Sequence, residues 1–335
     1  MNSETKLASS WFIWGLSYYL YYPFVSLFAV KFVKDVTILY LISTLFAIPM
    51  PLIGSKLARK IGLVKTMMLG GILSGLGLVL FSFSTSLPSL IISYVIASTF
   101  FISLPSYYSY MNNLGKGTIS KIWAISIIPS LFTPSIGGVI ASVLGLRAVF
   151  LIGGILMAFT ALPLLRLKEI QIMQDSLVFD VKLLIPIVVI LPIALAFPFV
   201  YLILKQNYSM SYENIGVIAT LAEVMGAFFT FLYSKFTKRF FLSIYLILFS
   251  LIYLIYFNPM FTLFFGLWEA IIPSALEESK EKSPEAFGII NSFQQIGWFT
   301  GYLFSYLEFS IKTSILISSI ISVLLGLIFL VLNKL

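Results

Sequence analysis

The sequence predicts an all-α membrane protein built as two similar halves of six helices each. Of its 335 residues, 60% are hydrophobic and only 10% are charged, and the mean hydropathy is +1.04. A soluble domain carries about a quarter charged residues, so burial in a water-soluble core cannot account for this composition. Two motifs also recur in the same order, Tyr22-Pro23-Phe24-Val25 as Phe197-Pro198-Phe199-Val200 and the basic turn 55–60 as 234–239. Such repetition is typical of duplicated membrane proteins.

Twelve apolar stretches are long enough to cross a bilayer, since a helix needs about 20 residues to span the hydrocarbon core. We number these predicted spans in chain order. Spans one to six cover 11–30, 36–55, 63–84, 88–110, 120–142 and 148–165, and spans seven to twelve cover 183–204, 213–233, 240–257, 259–276, 286–307 and 313–332. The polar stretch 166–182 is the predicted cytoplasmic linker between an N-terminal bundle at 1–165 and a C-terminal bundle at 183–335. The start of span eleven is predicted by three consecutive residues. Ser283 can cap the helix, Pro284 suits its first turn, and Glu285 is an acid at the positive end of the helix dipole.

The distribution of basic residues predicts the orientation. If the N-terminus is cytoplasmic, all but five of the 21 Lys and Arg residues fall on the cytoplasmic side; the exceptions are Lys31, Lys34, Arg147, Lys205 and Lys312. This bias follows the positive-inside rule. It explains the net charge of +8 without a nucleic-acid partner, and it predicts a plasma-membrane protein with both termini in the cytoplasm. Trp11, Trp14 and Trp123 lie at predicted cytoplasmic span ends, where tryptophan side chains anchor helices at the interface.

Several classes of chemistry lack the residues they need. The chain has no cysteine and no histidine, which excludes disulfides, thiolate metal sites, histidine proton relays and histidine-based catalytic triads. The sequence also carries no nucleotide-binding loop, metal-ligand cluster or nucleophile arrangement. We therefore predict a protein that is not an enzyme and that uses no metal and no cofactor.

The turn after span two resembles the marker of the major facilitator superfamily, G-x-x-x-D-R-x-G-R-K. Lys60, Ile61 and Gly62 match it, and Arg59 stands where the family has Asp. The segment Thr133–Gly138 is similar to the family's G-P-x-x-G-G element in helix five, with Thr for the first Gly. The resemblance covers nearly the whole chain and implies the twelve-helix fold of that family. It implies a cytoplasmic gate at Lys56, Arg59, Lys60 and Gly62, and a helix-five motif at Pro134, Gly137 and Gly138; the alternative for the glycines is close helix packing.

Two carboxyl groups lie near the middle of the predicted membrane. Glu223 is about halfway along span eight and Glu269 about halfway along span ten, with no Lys or Arg at comparable depth. A charge there costs on the order of 3 kcal/mol, so such residues face the protein interior and are candidates for function. The resemblance makes spans eight and ten neighbours, and a desolvated carboxyl group beside a second carboxylate binds a proton more tightly. We predict proton coupling through this pair; the alternative is that both are permanently protonated structural groups.

Aromatic and amide side chains are concentrated in spans one, four, ten and eleven. The resemblance places the first helix of each three-helix repeat around a central cavity, and apolar walls with a few hydrogen-bonding groups suit a small organic solute. The alternative for any one tyrosine is a hydrogen bond that only joins two helices. The predicted cavity residues are Tyr18, Tyr22, Tyr107, Tyr108, Trp268, Asn291, Gln294, Gln295 and Trp298.

These features predict a secondary transporter that moves a small organic solute by alternating access, coupled to protons and working as a monomer in the lipid bilayer. Two alternatives stay open. One is a proton-driven exporter of lipophilic, drug-like compounds, and the other is a membrane receptor or assembly factor that has the same fold but transports nothing. The direction of transport also stays open, because the partial antiporter element in span five favours export whereas the family's fourth-helix exporter Arg is missing.

The predicted orientation can be tested with cysteines introduced into this cysteine-free chain. We expect Ser176→Cys, in the linker, to be protected from an impermeant thiol reagent added outside intact cells. Ser86→Cys, between spans three and four, should be labelled. The reverse pattern would overturn the orientation.

Overall fold

A computed structural model of the protein describes residues 2–115, 118–170, 185–236, 239–271, 283–307 and 310–332. These residues form helices and connecting turns, with no strand in the described part, which confirms the all-α prediction. Eight helices in this part are long and apolar enough to cross a membrane. Helical segments also occupy the other four predicted spans, so the protein is a multi-pass membrane protein.

The first half contains six helical spans, several of them interrupted. Span one runs Ser3–Tyr21, Tyr22–Phe24 and Val25–Ala29; span two runs Thr37–Ala47 and Met50–Ile61; span three runs Leu63–Ser82. Span four runs Leu87–Ala97 and Phe100–Leu114; span five runs Thr118–Ile127, Ile128–Leu131 and Thr133–Val143; span six runs Leu146–Phe159 and Leu162–Leu164.

The second half follows the same order. Span seven runs Ile185–Ala196 and Val200–Tyr208, span eight Tyr212–Phe236, span nine Arg239–Phe249 and Ser250–Tyr256, and span ten begins with the 3₁₀ segment Pro259–Leu267 and continues as helix to residue 271. Span eleven runs Pro284–Tyr306 and span twelve Ile311–Leu332. Span eleven begins at the predicted cap, because Ser283 Oγ accepts a hydrogen bond from the amide of Ala286 at 3.2 Å.

The two repeated proline motifs occupy equivalent positions in the two halves. Pro23 and Pro198 each lie where their span is interrupted, and each interruption separates a longer helix from a shorter one. Proline has no amide hydrogen and its ring clashes with the preceding turn, so it breaks the helical ladder. The motifs also meet in space, since the rings of Tyr22 and Phe197 are 6.1 Å apart. The proline motif of the internal repeat is therefore visible in the structure, whereas residues 237 and 238 of the second basic turn lie outside the described residues.

Span one begins eight residues earlier than predicted. Asn2 caps it, with Oδ1 accepting a hydrogen bond from the amide of Thr5 at 2.8 Å. Polar residues in the first two turns hid this start from a search for apolar stretches. As a result Trp11 lies two turns inside the helix and is 1% exposed, and the prediction that it anchors the span at the membrane interface is wrong.

The outer surface of the bundle is apolar, as contact with lipid requires. Large hydrophobic side chains are more than half exposed on several spans, among them Phe46, Val143, Phe228 and Phe257. A soluble monomer would rarely expose so many. The lipid bilayer covers these side chains.

The predicted linker is described only at its start, and residues 171–184 lie outside the described residues. The described start is attached to the N-terminal bundle. The carboxylate of Glu169 accepts hydrogen bonds from the amides of Leu63 and Val64, both at 3.0 Å, and thereby caps span three. Gly62 precedes this cap with φ +99°, and a side chain there would collide with Glu169.

Spans eight and ten pack backbone to backbone. A Cβ atom on Gly226 would collide with the carbonyl oxygen of Gly266, and it would lie 3.1 Å from Cβ of Glu269. Small residues permit this close approach between membrane helices. The contact brings Glu223, one turn earlier in span eight, close to Glu269 in span ten.

We expect Gly226→Val to destabilise the protein by about 1–3 kcal/mol, because the added side chain must push the two helices apart. Thermal unfolding in detergent measures the effect. Val224→Ala is the matched control, since Val224 is 44% exposed on the outer face of the same helix. An unchanged melting temperature for Gly226→Val would show that spans eight and ten do not touch here.

Candidate functional site

The two predicted carboxyl groups lie together in the interior. Glu223 and Glu269 are both fully buried, with 0% exposure. Each uses one carboxyl oxygen, Oε1, to accept a hydrogen bond. The other oxygen, Oε2, has no hydrogen-bond partner in the described part of the chain in either residue. Each carboxyl group therefore keeps one oxygen free to hold a proton.

Span one supplies the donors to both carboxyl groups. The hydroxyl of Tyr19 donates to Glu269 Oε1 at 2.7 Å, and the hydroxyl of Tyr22 donates to Glu223 Oε1. Tyr22 also shares a hydrogen bond of 2.8 Å with the hydroxyl of Tyr201 in span seven. Because span one belongs to the first half and the acids to the second, these contacts join the two halves at the depth of the carboxyl groups.

Trp268 connects the carboxyl groups to a central cavity. Its indole N–H donates to Glu223 Oε1 at 3.4 Å, and its ring packs at 6.2 Å against both Tyr18 and Tyr22. The same side chain lines the cavity. A residue of the cavity lining thus hydrogen-bonds directly to one of the two acids.

The cavity measures about 210 Å³ and is lined by side chains from both halves. Most of its wall is aromatic, and the remaining polar groups are hydroxyls and amides. The lining residues are Trp11, Trp14, Tyr18, Tyr21, Tyr40, Ser43, Thr44, Ser74, Tyr94, Ala97, Ser98, Phe100, Phe101, Leu104, Tyr108, Trp123, Met157, Ile190, Phe197, Trp268, Gln294, Gln295, Trp298 and Tyr302. An aromatic wall with a few polar groups is typical of small-molecule sites.

A ladder of stacked rings forms the wall on span one. Trp11 stacks on Trp14 at 5.1 Å, Trp14 on Tyr18 at 5.1 Å, and Tyr18 on Tyr22 at 5.1 Å. The spacing of three or four residues places all four rings on one face of the helix. Span eleven contributes a second stacked pair, Trp298 and Tyr302, at 5.7 Å.

Six of the nine predicted cavity residues line this cavity: Tyr18, Tyr108, Trp268, Gln294, Gln295 and Trp298. The other three do not. Tyr22 is engaged with Glu223, and Tyr107 shares a hydrogen bond of 2.7 Å with Ser10. The amide nitrogen of Asn291 donates to the carbonyl of Phe287 one turn earlier, at 2.8 Å, and its amide oxygen is buried without a partner among the described residues. The part that the six play in binding stays a prediction.

Sequence reasoning missed several residues of the site. Trp14 and Trp123, like Trp11, line the cavity rather than anchor span ends, so that interfacial prediction is wrong for all three. The periodicity Trp11, Trp14, Tyr18, Tyr22 is a helical face and could have revealed the ladder. No comparable signal distinguishes Tyr19 from its neighbours, because the acid that it meets lies 250 residues away in the sequence.

The predicted gate motif forms an ion pair between the halves. Arg59, at the end of span two, binds Glu285 at the start of span eleven through two hydrogen bonds, Nε to Oε1 at 2.5 Å and Nη2 to Oε2 at 2.9 Å. The acid that the family carries in this turn is thus supplied by the other half. Lys56 and Lys60 are exposed, and Gly62 forms the turn beside Glu169.

The helix-five motif packs span five against its neighbours. A Cβ on Gly137 would collide with the carbonyl of Leu20 in span one, and a Cβ on Gly138 would lie 2.6 Å from the carbonyl of Tyr212 in span eight. The carbonyl of Pro134 leaves no space for a side chain on Gly216 of span eight. These contacts fit the packing interpretation of the glycines and join the halves at the ends opposite to the ion pair.

No metal site is built from the described residues, in which no group of three or more Asp or Glu side chains is placed to hold an ion. The described cavity lining likewise contains no charged side chain. That the protein uses no metal and no cofactor stays a prediction.

Comparison with known proteins gives similarity of structure only. No family model matches the sequence, and no curated protein matches it. Three solved structures are similar over almost the whole chain. The human organic anion transporter MFSD10 is 14% identical, with a TM-score of 0.72 and coverage of 98% of this chain and 100% of its own.

The nucleoside transporter NupG is 15% identical, with a TM-score of 0.71 and full coverage of both chains. An auto-inhibited peptide transporter of the POT family is 11% identical, with a TM-score of 0.76 and coverage of 100% of this chain and 97% of its own. All three are transporters and none is named as an enzyme. At these identities the similarity establishes architecture, and the chain has the fold of the major facilitator superfamily.

Proposed function

We propose that the protein is a secondary transporter that moves a small organic solute by alternating access, driven by proton movement through Glu223 and Glu269. One observation carries the proposal: two buried carboxyl groups of the second half each accept a hydrogen bond from a tyrosine of the first half, beside an aromatic cavity. The three similar structures are all transporters, which supports transport in general.

The tyrosine contacts provide a physical link between protonation and movement of the halves. A hydrogen bond to an ionised carboxylate is roughly twice as strong as one to a neutral group. A proton bound on the free Oε2 of either acid removes the charge and weakens the bond from Tyr19 or Tyr22. Protonation therefore loosens the contact between span one and spans eight and ten.

Alternating access requires contacts between the halves that can break at one end at a time. At one end Arg59 binds Glu285, and at the other the hydroxyl of Ser135 shares a hydrogen bond of 2.8 Å with Thr220. Both contacts are polar and partly exposed, so water can replace them when the halves separate. One ion pair, hydrogen bonds and packing join these described ends.

The size of the cavity supports a small solute over the drug-sized compounds of the first alternative. A volume of about 210 Å³ is below the roughly 300–1,000 Å³ of sites that hold drug-sized ligands. The second alternative, a receptor or assembly factor, does not require a free carboxyl oxygen on each buried acid.

We further propose that the protein is a plasma-membrane monomer with two bundles, 1–165 and 183–335, joined by a cytoplasmic linker, and that it binds no nucleic acid.

The gate can be tested without knowing the substrate. Arg59→Glu and Glu285→Arg each place like charges together, and a half-exposed pair of this kind is worth about 1 kcal/mol, or roughly a fivefold change in population. Each change should speed alkylation of Ser98→Cys in the cavity, measured with an impermeant reagent applied to the side that holds Arg59.

The double variant Arg59→Glu with Glu285→Arg restores opposite charges and should return the alkylation rate to that of the parent. Lys60→Glu makes the same change of charge on an exposed neighbour and serves as the control. If the double variant stayed as fast as the single variants, the ion pair would not hold the gate.

Proton coupling is tested by Glu269→Gln and Glu223→Gln, which keep the shape and the acceptor oxygen but cannot ionise. In proteoliposomes, with a labelled solute that the parent accumulates from a compound panel, we expect Glu269→Gln to lower accumulation driven by a pH gradient at least tenfold. Exchange without a gradient should change less than about twofold, because binding is kept.

Glu223→Gln should have the same effect or shift the pH optimum, since the two acids interact. Glu213→Gln is the matched control, because Glu213 is an exposed acid in the first turn of span eight. Accumulation at the level of the parent in both buried variants would show that these acids are structural.

A further inference from the structure

The cavity is lined by uncharged residues, and aromatic rings dominate it. Fourteen of its 24 lining residues are aromatic, and they include all five tryptophans of the chain. No Lys, Arg, Asp or Glu is among the residues that the structure places in the wall. An ion that left water for this wall would lose its hydration without gaining a counter-charge, which is costly. The composition of the wall therefore favours an uncharged solute.

Several polar groups of the wall have no partner within the protein. The side-chain amides of Gln294 and Gln295, which are 7% and 3% exposed, make no hydrogen bond to any described residue. The hydroxyls of Tyr18, Tyr94 and Tyr302 likewise make none within the described ranges. Buried amides and hydroxyls need hydrogen-bond partners. A solute or water that both donates and accepts hydrogen bonds can satisfy these groups.

The part of the aromatic wall that span one contributes is unsuited to an organic cation. A cation binds over an open ring face, and on span one these faces are already covered. Trp14 lies between Trp11 and Tyr18, and Tyr18 lies between Trp14 and Tyr22, each at 5.1 Å. Stacked rings present their electropositive edges sideways, and such edges favour the face of another aromatic ring.

The two acids do not change this conclusion. Glu223 and Glu269 lie outside the cavity lining, and the side chains of Tyr19, Tyr22 and Trp268 occupy one oxygen of each. The lining residues that the structure describes contain no basic group to match an anion. A carboxylate or phosphate on the solute would thus find no compensating charge.

We propose that the cavity takes an uncharged, planar aromatic solute of one or two rings whose edge carries amide-like donors and acceptors. The amides of Gln294 and Gln295 pair with that edge, and the ladder of span one meets the ring. The inference rests on the proposed transport function and names its substrate class. It differs from the organic anion named for one of the similar structures.

The five cavity tryptophans make intrinsic fluorescence a direct reporter of occupancy. Purified protein in detergent is titrated with three compounds of nearly equal shape: nicotinamide, which is neutral, nicotinate, which is an anion, and 1-methylnicotinamide, which is a cation. A second neutral and anionic pair, uracil and orotate, repeats the test on another ring. We expect saturable quenching by the neutral compounds and at least tenfold weaker binding of every charged one.

Gln294→Met and Gln295→Met remove an amide with little change in volume. Each should weaken the binding of nicotinamide roughly tenfold, as the loss of a hydrogen bond within a buried site does. Asn291→Leu is the matched control, because it removes a buried amide of the same helix that lies outside the lining. Circular dichroism and thermal unfolding confirm that the variants are folded.

Three outcomes would overturn the inference: equal or tighter binding of a charged member, preferential binding of a nonaromatic ring such as xylose, or no quenching by either neutral ring. Each is separable from failure of the proposed function, because fluorescence needs neither a membrane nor a gradient. A protein that accumulates nicotinate in proteoliposomes under a pH gradient would keep the transport proposal and lose this one.

Discussion

Burial of two carboxyl groups in the middle of a membrane protein is the constraint on which the rest of the structure depends. Neither acid has a described basic partner, and an unpaired ionised group at this depth is expensive. The protein meets the constraint with neutral donors, the hydroxyls of Tyr19 and Tyr22 and the indole of Trp268. Because the tyrosines come from the first half and the acids from the second, the demand for hydrogen bonds also holds the halves together.

This arrangement explains why spans eight and ten approach so closely and why span one is so aromatic. The contact of Gly226 with Gly266 places the two acids side by side, and span one hydrogen-bonds to both. Its tyrosines alternate in role along the helix. Tyr18 faces the cavity, Tyr19 and Tyr22 face the acids, and the stacking of Tyr18 on Tyr22 joins the two environments. Packed rings therefore connect the acids to the wall of the cavity.

Charge is divided between the ends and the centre of the bundle. At the end, where water screens it, the pair Arg59 and Glu285 joins spans two and eleven. At the centre the described cavity wall is uncharged, and the two acids lie outside it. An ion pair at the rim can exchange its protein contacts for water, whereas one in the dry centre could not separate without a large penalty.

The sequence by itself determined the number and order of the spans, the internal repeat and the two buried acids, because hydropathy, recurring motifs and intramembrane charge are local signals. It also predicted that Gln294 and Trp298 line the cavity, since an amide and a tryptophan deep in an apolar span are unusual. Only the tertiary structure decided which of the four tyrosines in span one donates a hydrogen bond to which acid. It also decided that Trp11, Trp14 and Trp123 line the cavity and that Glu285 forms an ion pair with Arg59. These pairings join residues far apart in the chain, and the direction of each side chain is set by how the two halves pack, which no local pattern encodes.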